Sequence, residues 1–155
     1  MMRKNDVCWM IIAIMLCSCA EIQNNAAADA QIQLGLAYLE KNDRTTAKEK
    51  FLWAVQDAPD YPKAWDGFAY YMERVEDFET AEKYYQYAVK LAPKESASHN
   101  NYGVFLCRQQ RYQEAMQQFN FALSNKNYIK TSEIYENIQR CRPGIHAGTT
   151  SFAHS

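Results

Sequence analysis

No charge of either sign dominates this chain. Its 17 basic and 18 acidic residues nearly cancel, so the electrostatic footprint of a nucleic-acid-binding protein is missing. Histidine is scarce. His99, His146 and His154 have no recognisable catalytic company, and no His-Glu-x-x-His, Gly-x-Ser-x-Gly or phosphate-binding glycine loop occurs. These absences argue against an enzyme, a cofactor or a small-molecule substrate. They also argue against a metal site, because His99 stands alone and His146 lies beyond the helix stop at Arg142-Pro143-Gly144. A membrane-spanning run is wanting as well. Val7–Leu16 holds ten apolar residues, whereas a bilayer core of ~30 Å takes about 20.

What the chain does have is an internal period. Gly35, Ala69 and Gly103 are spaced 34 apart, as are Ala47, Ala81 and Ala115, and Ala54, Ala88 and Ala122. Phe51, Tyr85 and Phe119 keep the same interval. Gly103 lies in the apolar stretch Asn100–Cys107, where glycine weakens an isolated helix by roughly 1 kcal/mol relative to alanine. Glycine in such a place implies close packing against its backbone by a second helix, with Ala115 as the opposing small residue. Small residues at the closest contact and aromatics at its margins predict helix hairpins, and the repeat columns account for the eleven tyrosines and seven phenylalanines.

The period resembles the tetratricopeptide repeat (TPR) in its Leu34-Gly35-x-x-Tyr38, its following Ala and x-x-x-Phe, and its closing Pro59 and Pro93. Trp65 occupies the aromatic opening position, from which Gln31 and His99 depart. The expected fold is all-α, a TPR superhelix of about three and a half hairpins. Its units are 28–61, 62–95, 96–129 and a partial 130–142. Such units stack because none buries its apolar face alone, and the stack curves around a groove lined by the first helix of each hairpin. Thr46-Ala47-Lys48-Glu49 has capping-box spacing for the second helix of unit one. Asp77 and Ser96 suit N-caps, and Pro62 suits a first helical turn. Glu79 and Glu82 read as a solvated helix face.

Ahead of the repeats, Arg3 and Lys4 precede the short apolar run, as in a secretory signal. Leu16-Cys17-Ser18-Cys19 resembles a bacterial lipobox. The resemblance implies a signal over 1–18 and lipidation of Cys19, since Leu16 is too bulky for cleavage before Cys17. Ala20 after the lipidated cysteine implies the periplasmic face of the outer membrane. Residues 19–27 then form a tether whose last eight residues reach at most ~26–29 Å, and removal of Arg3, Lys4 and Asp6 leaves a near-neutral chain. At the other end, Ser132–Cys141 predicts the first helix of a fourth unit, with Ile134, Tyr135, Ile138 and Cys141 on one side. Residues 143–155 carry no helical period and are expected to be disordered. Cys107 and Cys141 occupy one repeat position on adjacent first helices. They are either inert buried thiols or a disulfide. Helix spacing and an oxidising compartment favour the disulfide.

Asn100-Asn101-Tyr102-Gly103-x-Phe105-Leu106-Cys107, Arg111-Tyr112-x-Glu114-Ala115 and Tyr135-Glu136-Asn137 with Cys141 resemble the type IV pilus biogenesis lipoproteins of the PilF/PilW type, known as pilotins. The resemblance covers residues ~16–142. It implies an outer-membrane lipoprotein of six repeats that assists assembly or localisation of the pilus secretin, and it pairs the two matching cysteines. Gln139 stands where that family tends to have glycine, and the last two and a half repeats are missing. The resulting expectation is a lipid-anchored adaptor with a protein partner. Its groove is expected to be formed by Ile32, Leu36, Leu39, Asp66, Tyr70, Asn100 and Val104. Two other functions compete with it. One is a generic envelope scaffold with another protein partner. The other is a carboxylate-clamp receptor, which needs Lys, Arg and Asn in the groove where Ile32, Leu36 and Leu39 are expected. Apolar groove residues instead suit an amphipathic or extended peptide. The face left unpaired by the half-repeat, with Ile134, Tyr135 and Ile138, is a second candidate surface.

Overall fold

The computed structural model describes residues 24–126 and 128–141. Cys19, the signal at 1–18 and the tail at 143–155 lie outside them. Among the described residues the chain is entirely helical: α1 over 24–40, α2 Arg44–Asp57, α3 Pro62–Arg74, α4 Phe78–Leu91, α5 Ser96–Arg108, α6 Tyr112–Ser124 and α7 Thr131–Arg140. Helix α1 includes 24–27, the last four residues of what the sequence suggests is tether. Ala26, Ala27 and Ala28 explain the difference, because alanine is the strongest helix former.

The six helices α1 to α6 pair as hairpins, and every hairpin is closed by the same turn. Asn42, Glu76 and Gln110, again 34 apart, have φ of 58°, 67° and 62°. The next residue's N–H reaches back to the carbonyls of Tyr38, Met72 and Leu106 at 2.9, 3.0 and 2.9 Å. This is the left-handed helix stop that usually recruits glycine, here made three times by larger residues. The chain then enters the second helix through Asp43, Asp77 or Arg111. Asp43 accepts the Thr46 N–H at 3.0 Å and the Thr46 hydroxyl at 2.7 Å, and Asp77 accepts the Thr80 N–H at 3.2 Å. The cap of α2 is therefore Asp43, and Thr46 is its recipient in the first turn. Ser96 is likewise inside α5 and not its cap. Glu95 holds that position without a side-chain bond, and the Ser96 hydroxyl is buried without a partner. Pro62 opens α3.

Inside each hairpin an aromatic ring of the second helix lies on a small residue of the first. A Cβ placed on Gly35 would stand 2.8 Å from Phe51 Cε2, and one on Gly103 would stand 2.7 Å from Phe119 Cε1. The close contact is thus ring against backbone, where the sequence suggests helix against helix. Ala69 and Tyr85 hold these columns in the middle hairpin, with the Tyr85 hydroxyl donating to Glu73 at 3.2 Å. Ala47, Ala54, Ala81, Ala88, Ala115 and Ala122 are all fully buried around these rings.

The opening position of the repeat also has a defined role. Trp65 Nε1 donates to the Pro59 carbonyl at 2.7 Å, and its ring meets Tyr87 edge-on at 4.7 Å. His99, which departs from the repeat pattern, makes the same pair of contacts. Its Nε2 bonds the Pro93 carbonyl at 2.9 Å and its ring stacks on Phe121 at 5.3 Å. An imidazole N–H replaces the indole N–H.

Between hairpins, Arg111 ties α6 to α4 through Glu82 at 2.7 Å while also holding Glu114 at 2.6 Å. Glu82 further accepts the Tyr102 hydroxyl at 2.8 Å. Of the two carboxylates expected on a solvated face, only Glu79 fits. It is exposed and paired with Lys83, whereas Glu82 cross-links three helices.

Gly103→Ala is expected to destabilise the chain by ~1–3 kcal/mol through overpacking on Phe119, overriding the gain of roughly 1 kcal/mol in helix propensity. Phe119→Leu should relieve the clash, so the double variant should melt above the sum of the two single losses. Additive melting temperatures would show that the ring does not rest on Gly103.

Candidate functional site

The first helices of the hairpins, with α7, line one concave groove of about 410 Å³, within the ~300–1,000 Å³ of ligand-binding clefts. Helix α1 contributes Ile32, Gln33 and Leu36. Lys63, Asp66, Gly67 and Tyr70 come from α3, Asn100, Asn101, Val104 and Arg108 from α5, and Glu133 and Asn137 from α7. Tyr85 reaches the groove from α4. Ile32, Leu36, Asp66, Tyr70, Asn100 and Val104 are thus brought together. Leu39 is not, because its half-buried side chain packs into the core around Phe51. One helical turn beyond Leu36, it has rotated toward α2.

The lining is more polar than the α1 residues suggest. Two lysine or arginine side chains and three asparagines share the groove with the apolar Ile32, Leu36, Tyr70 and Val104. The cations are already engaged, however. Lys63 pairs with Asp29 at 2.8 Å and Arg108 with Glu73 at 2.9 Å. Glu73 is buried, and it also accepts the Tyr85 hydroxyl.

Asp66 is the anomalous member. Its side chain is nearly sealed, at 6% exposure, and it carries no ion pair among the described residues. Oδ2 accepts the Ser98 hydroxyl at 2.8 Å and the Asn101 amide at 3.1 Å. Oδ1 is buried with no hydrogen-bond partner. Burial pushes the carboxyl up to about 6 against the relief given by Ser98 and Asn101, with the nearby Glu95 charge adding to the rise and His99 opposing it. A buried polar atom left unsatisfied typically forfeits ~1–3 kcal/mol.

Two segments distant in sequence meet along the α5–α7 edge. Asn137 donates to Asn100 at 3.0 Å. A disulfide joins Cys107 to Cys141, whose Cα atoms are 5.4 Å apart. The groove wall formed by Glu133 and Asn137 is therefore held covalently against the third hairpin. The half-repeat presents less apolar surface than its sequence suggests. Ile134 is buried in the core of the third hairpin and Ile138 is partly covered, whereas Tyr135 (56%) and Ile129 (92%) stay exposed. A further column escapes a reading based on small residues. Trp53, Tyr87 and Phe121, on α2, α4 and α6, all retain substantial exposure. The signal for them is the same 34-residue interval. Among the described residues no helix is long and apolar enough to cross a membrane, and no group of three or more His, Cys, Asp or Glu could hold a metal ion.

Hairpins stacked at this interval, with rings on glycine and one concave face, define a tetratricopeptide-repeat scaffold, and a tetratricopeptide repeat model matches residues 68–128. The chain belongs to this class, in one family with an uncharacterized protein of Haemophilus influenzae that is 35% identical over 124 residues, 80% of this chain and 69% of that one. It is also similar to the type IV pilus assembly protein PilF of Pseudomonas aeruginosa, at 32% identity over 112 residues, 72% of this chain and 44% of PilF. A solved structure of P. aeruginosa PilF matches at a TM-score of 0.67 and 30% identity, covering 77% of this chain and 54% of that one. PilW, described as a widely conserved type IV pilus biogenesis factor, matches at 0.65 and 26%, covering 74% and 52%. The chain spans about half the length of these pilus proteins.

Asp66 favours the fold only while protonated. Its folded pKa of about 6 lies above the ordinary 3.8. The folded state therefore binds its proton more tightly, and that contribution is complete below about pH 4 and lost as pH rises through about 6. Asp66→Asn keeps an acceptor for Ser98 and Asn101 and removes the titration. Its stability should rise increasingly above the parent's between about pH 4 and 7, toward a ceiling of about 3 kcal/mol, read as a widening gap in melting temperature. A gap independent of pH would contradict a buried, ionising carboxyl at this position.

Proposed function

We propose that this chain is a lipid-anchored, non-enzymatic adaptor of type IV pilus biogenesis that receives a segment of another envelope protein, the pilus secretin, in its concave groove. Lipidation of Cys19 would hold it on the periplasmic face of the outer membrane. Similarity to PilF and PilW, in a chain whose first helices line one groove, carries the reading. Stacked helical repeats use their concave surface for binding, and Ile32, Leu36, Tyr70 and Val104 supply apolar contact there without belonging to the ring-on-glycine columns. Lys63 and Arg108 are neutralised by Asp29 and Glu73, which disfavours a receptor for a terminal carboxylate.

Replacing Leu36 and Tyr70 together by Ser should reduce secretin recovery from envelope extracts by at least tenfold while the helical signal persists. Undiminished recovery would remove the groove from the proposal. Cys19→Ala should abolish incorporation of labelled palmitate, since Leu16 blocks processing at Cys17. Labelling that survives the substitution would place the anchor elsewhere.

A further inference from the structure

The groove contains one feature that stability does not explain, the carboxylate of Asp66 in its wall. Buried charges in folded proteins are ordinarily paired, and unsatisfied buried atoms are rare enough to call for a reason. The chain supplies Asp66 with two neutral donors, both on Oδ2, and none on Oδ1. It also withholds a cation, although two stand in the same groove. Lys63 lies one helical turn before Asp66 and turns to Asp29, and Arg108 turns to Glu73. Glu133, on the facing α7 wall, has no ion pair among the described residues. Once the internal pairs are subtracted, the charge left facing the groove is negative, and it sits between apolar surfaces contributed by Leu36, Tyr70 and Val104.

We propose that the occupant of this groove is an extended, basic segment of the protein partner, with a lysine or arginine side chain received by Asp66 and its aliphatic stem lying on Leu36, Tyr70 and Val104. The proposal rests on the adaptor reading and specifies the chemistry of what is bound. A cation at the wall offsets the negative charge of the carboxylate, which no cation of this chain pairs among the described residues. Asn101, already oriented by Asp66, and Asn137, oriented by Asn100, are placed to hydrogen-bond an extended backbone, which offers both donors and acceptors. Removing the partner's cation would leave a charge buried and unpaired, so discrimination against a neutral isostere should be large.

The test uses the full chain and three fluorescein-labelled, amidated peptides, Ala-Ser-Leu-X-Leu-Ser-Ala, with X as lysine, norleucine or glutamate. The lysine peptide should bind at least tenfold more tightly than the other two, and Asp66→Asn should erase that preference. Thermal melts should show Asp66→Asn to be no less stable than the parent, which separates lost recognition from lost folding. Equal binding of lysine and norleucine peptides, a lysine preference that survives Asp66→Asn, or no binding of any of the three would overturn the proposal. Tighter binding of the glutamate peptide would do the same and restore a carboxylate receptor. Secretin capture distinguishes this failure from failure of the adaptor reading. Capture lost with Leu36→Ser and Tyr70→Ser but untouched by Asp66→Asn would refute the cation site alone. Capture untouched by all three substitutions would refute the groove as well.

Discussion

The contact on which the rest of this molecule depends is an aromatic ring lying on a backbone that has no side chain beneath it. Phe51 over Gly35 and Phe119 over Gly103 leave less than 3 Å for an added carbon. They set how closely the two helices of a hairpin approach. Each hairpin then exposes an apolar outer surface that only a neighbour can bury, and so the units stack. The cores follow this order. One gathers Ile32, Phe51 and Phe68, and the next gathers Tyr85, Phe105, Phe119 and Ile134. With spacing and stacking determined inside the hairpins, the first helices are free to present polar and charged residues to the groove.

Much of this was legible as arithmetic on the sequence. Columns of Gly or Ala and of Phe or Tyr at one interval specify hairpins, their number and their stacking. What stayed hidden were columns whose members share a conformation and not a chemistry. Asn42, Glu76 and Gln110 have little in common as side chains, yet all adopt positive φ. His99 looks like a departure from Trp65 until the hydrogen bond to the closing proline carbonyl shows both doing one job. Caps were displaced for a related reason. Thr46 matches a capping motif locally, but Asp43, left after the tight turn, reaches the same donors first.

The groove was legible in most of its membership and not in its charges. Position in the repeat identified six of the residues that line it. Leu39 failed because a helix turning about 100° per residue carries it to the core side. The charges escaped for a different reason. Whether Lys63 or Arg108 offers a free charge depends on Asp29 and Glu73, partners that lie 34 and 35 residues away. Asp66 is the converse case, a carboxylate whose burial no local pattern announces and whose neighbours Ser98 and Asn101 come from the following repeat.

The link between Cys107 and Cys141 changes the status of α7. A helix at the edge of a stack that is held only by one connecting segment and by side-chain contacts can swing away and return. Already tethered to α6 by the short segment after Ser124, α7 is tied a second time, to α5, through Cα atoms 5.4 Å apart, and its effective concentration at the third hairpin rises accordingly. Glu133 and Asn137, within about two turns of Cys141, are therefore returned to the groove more readily after α7 opens. In an oxidising compartment the groove keeps its α7 wall. In a reducing one, the same residues would be present only in proportion to the strength of their packing.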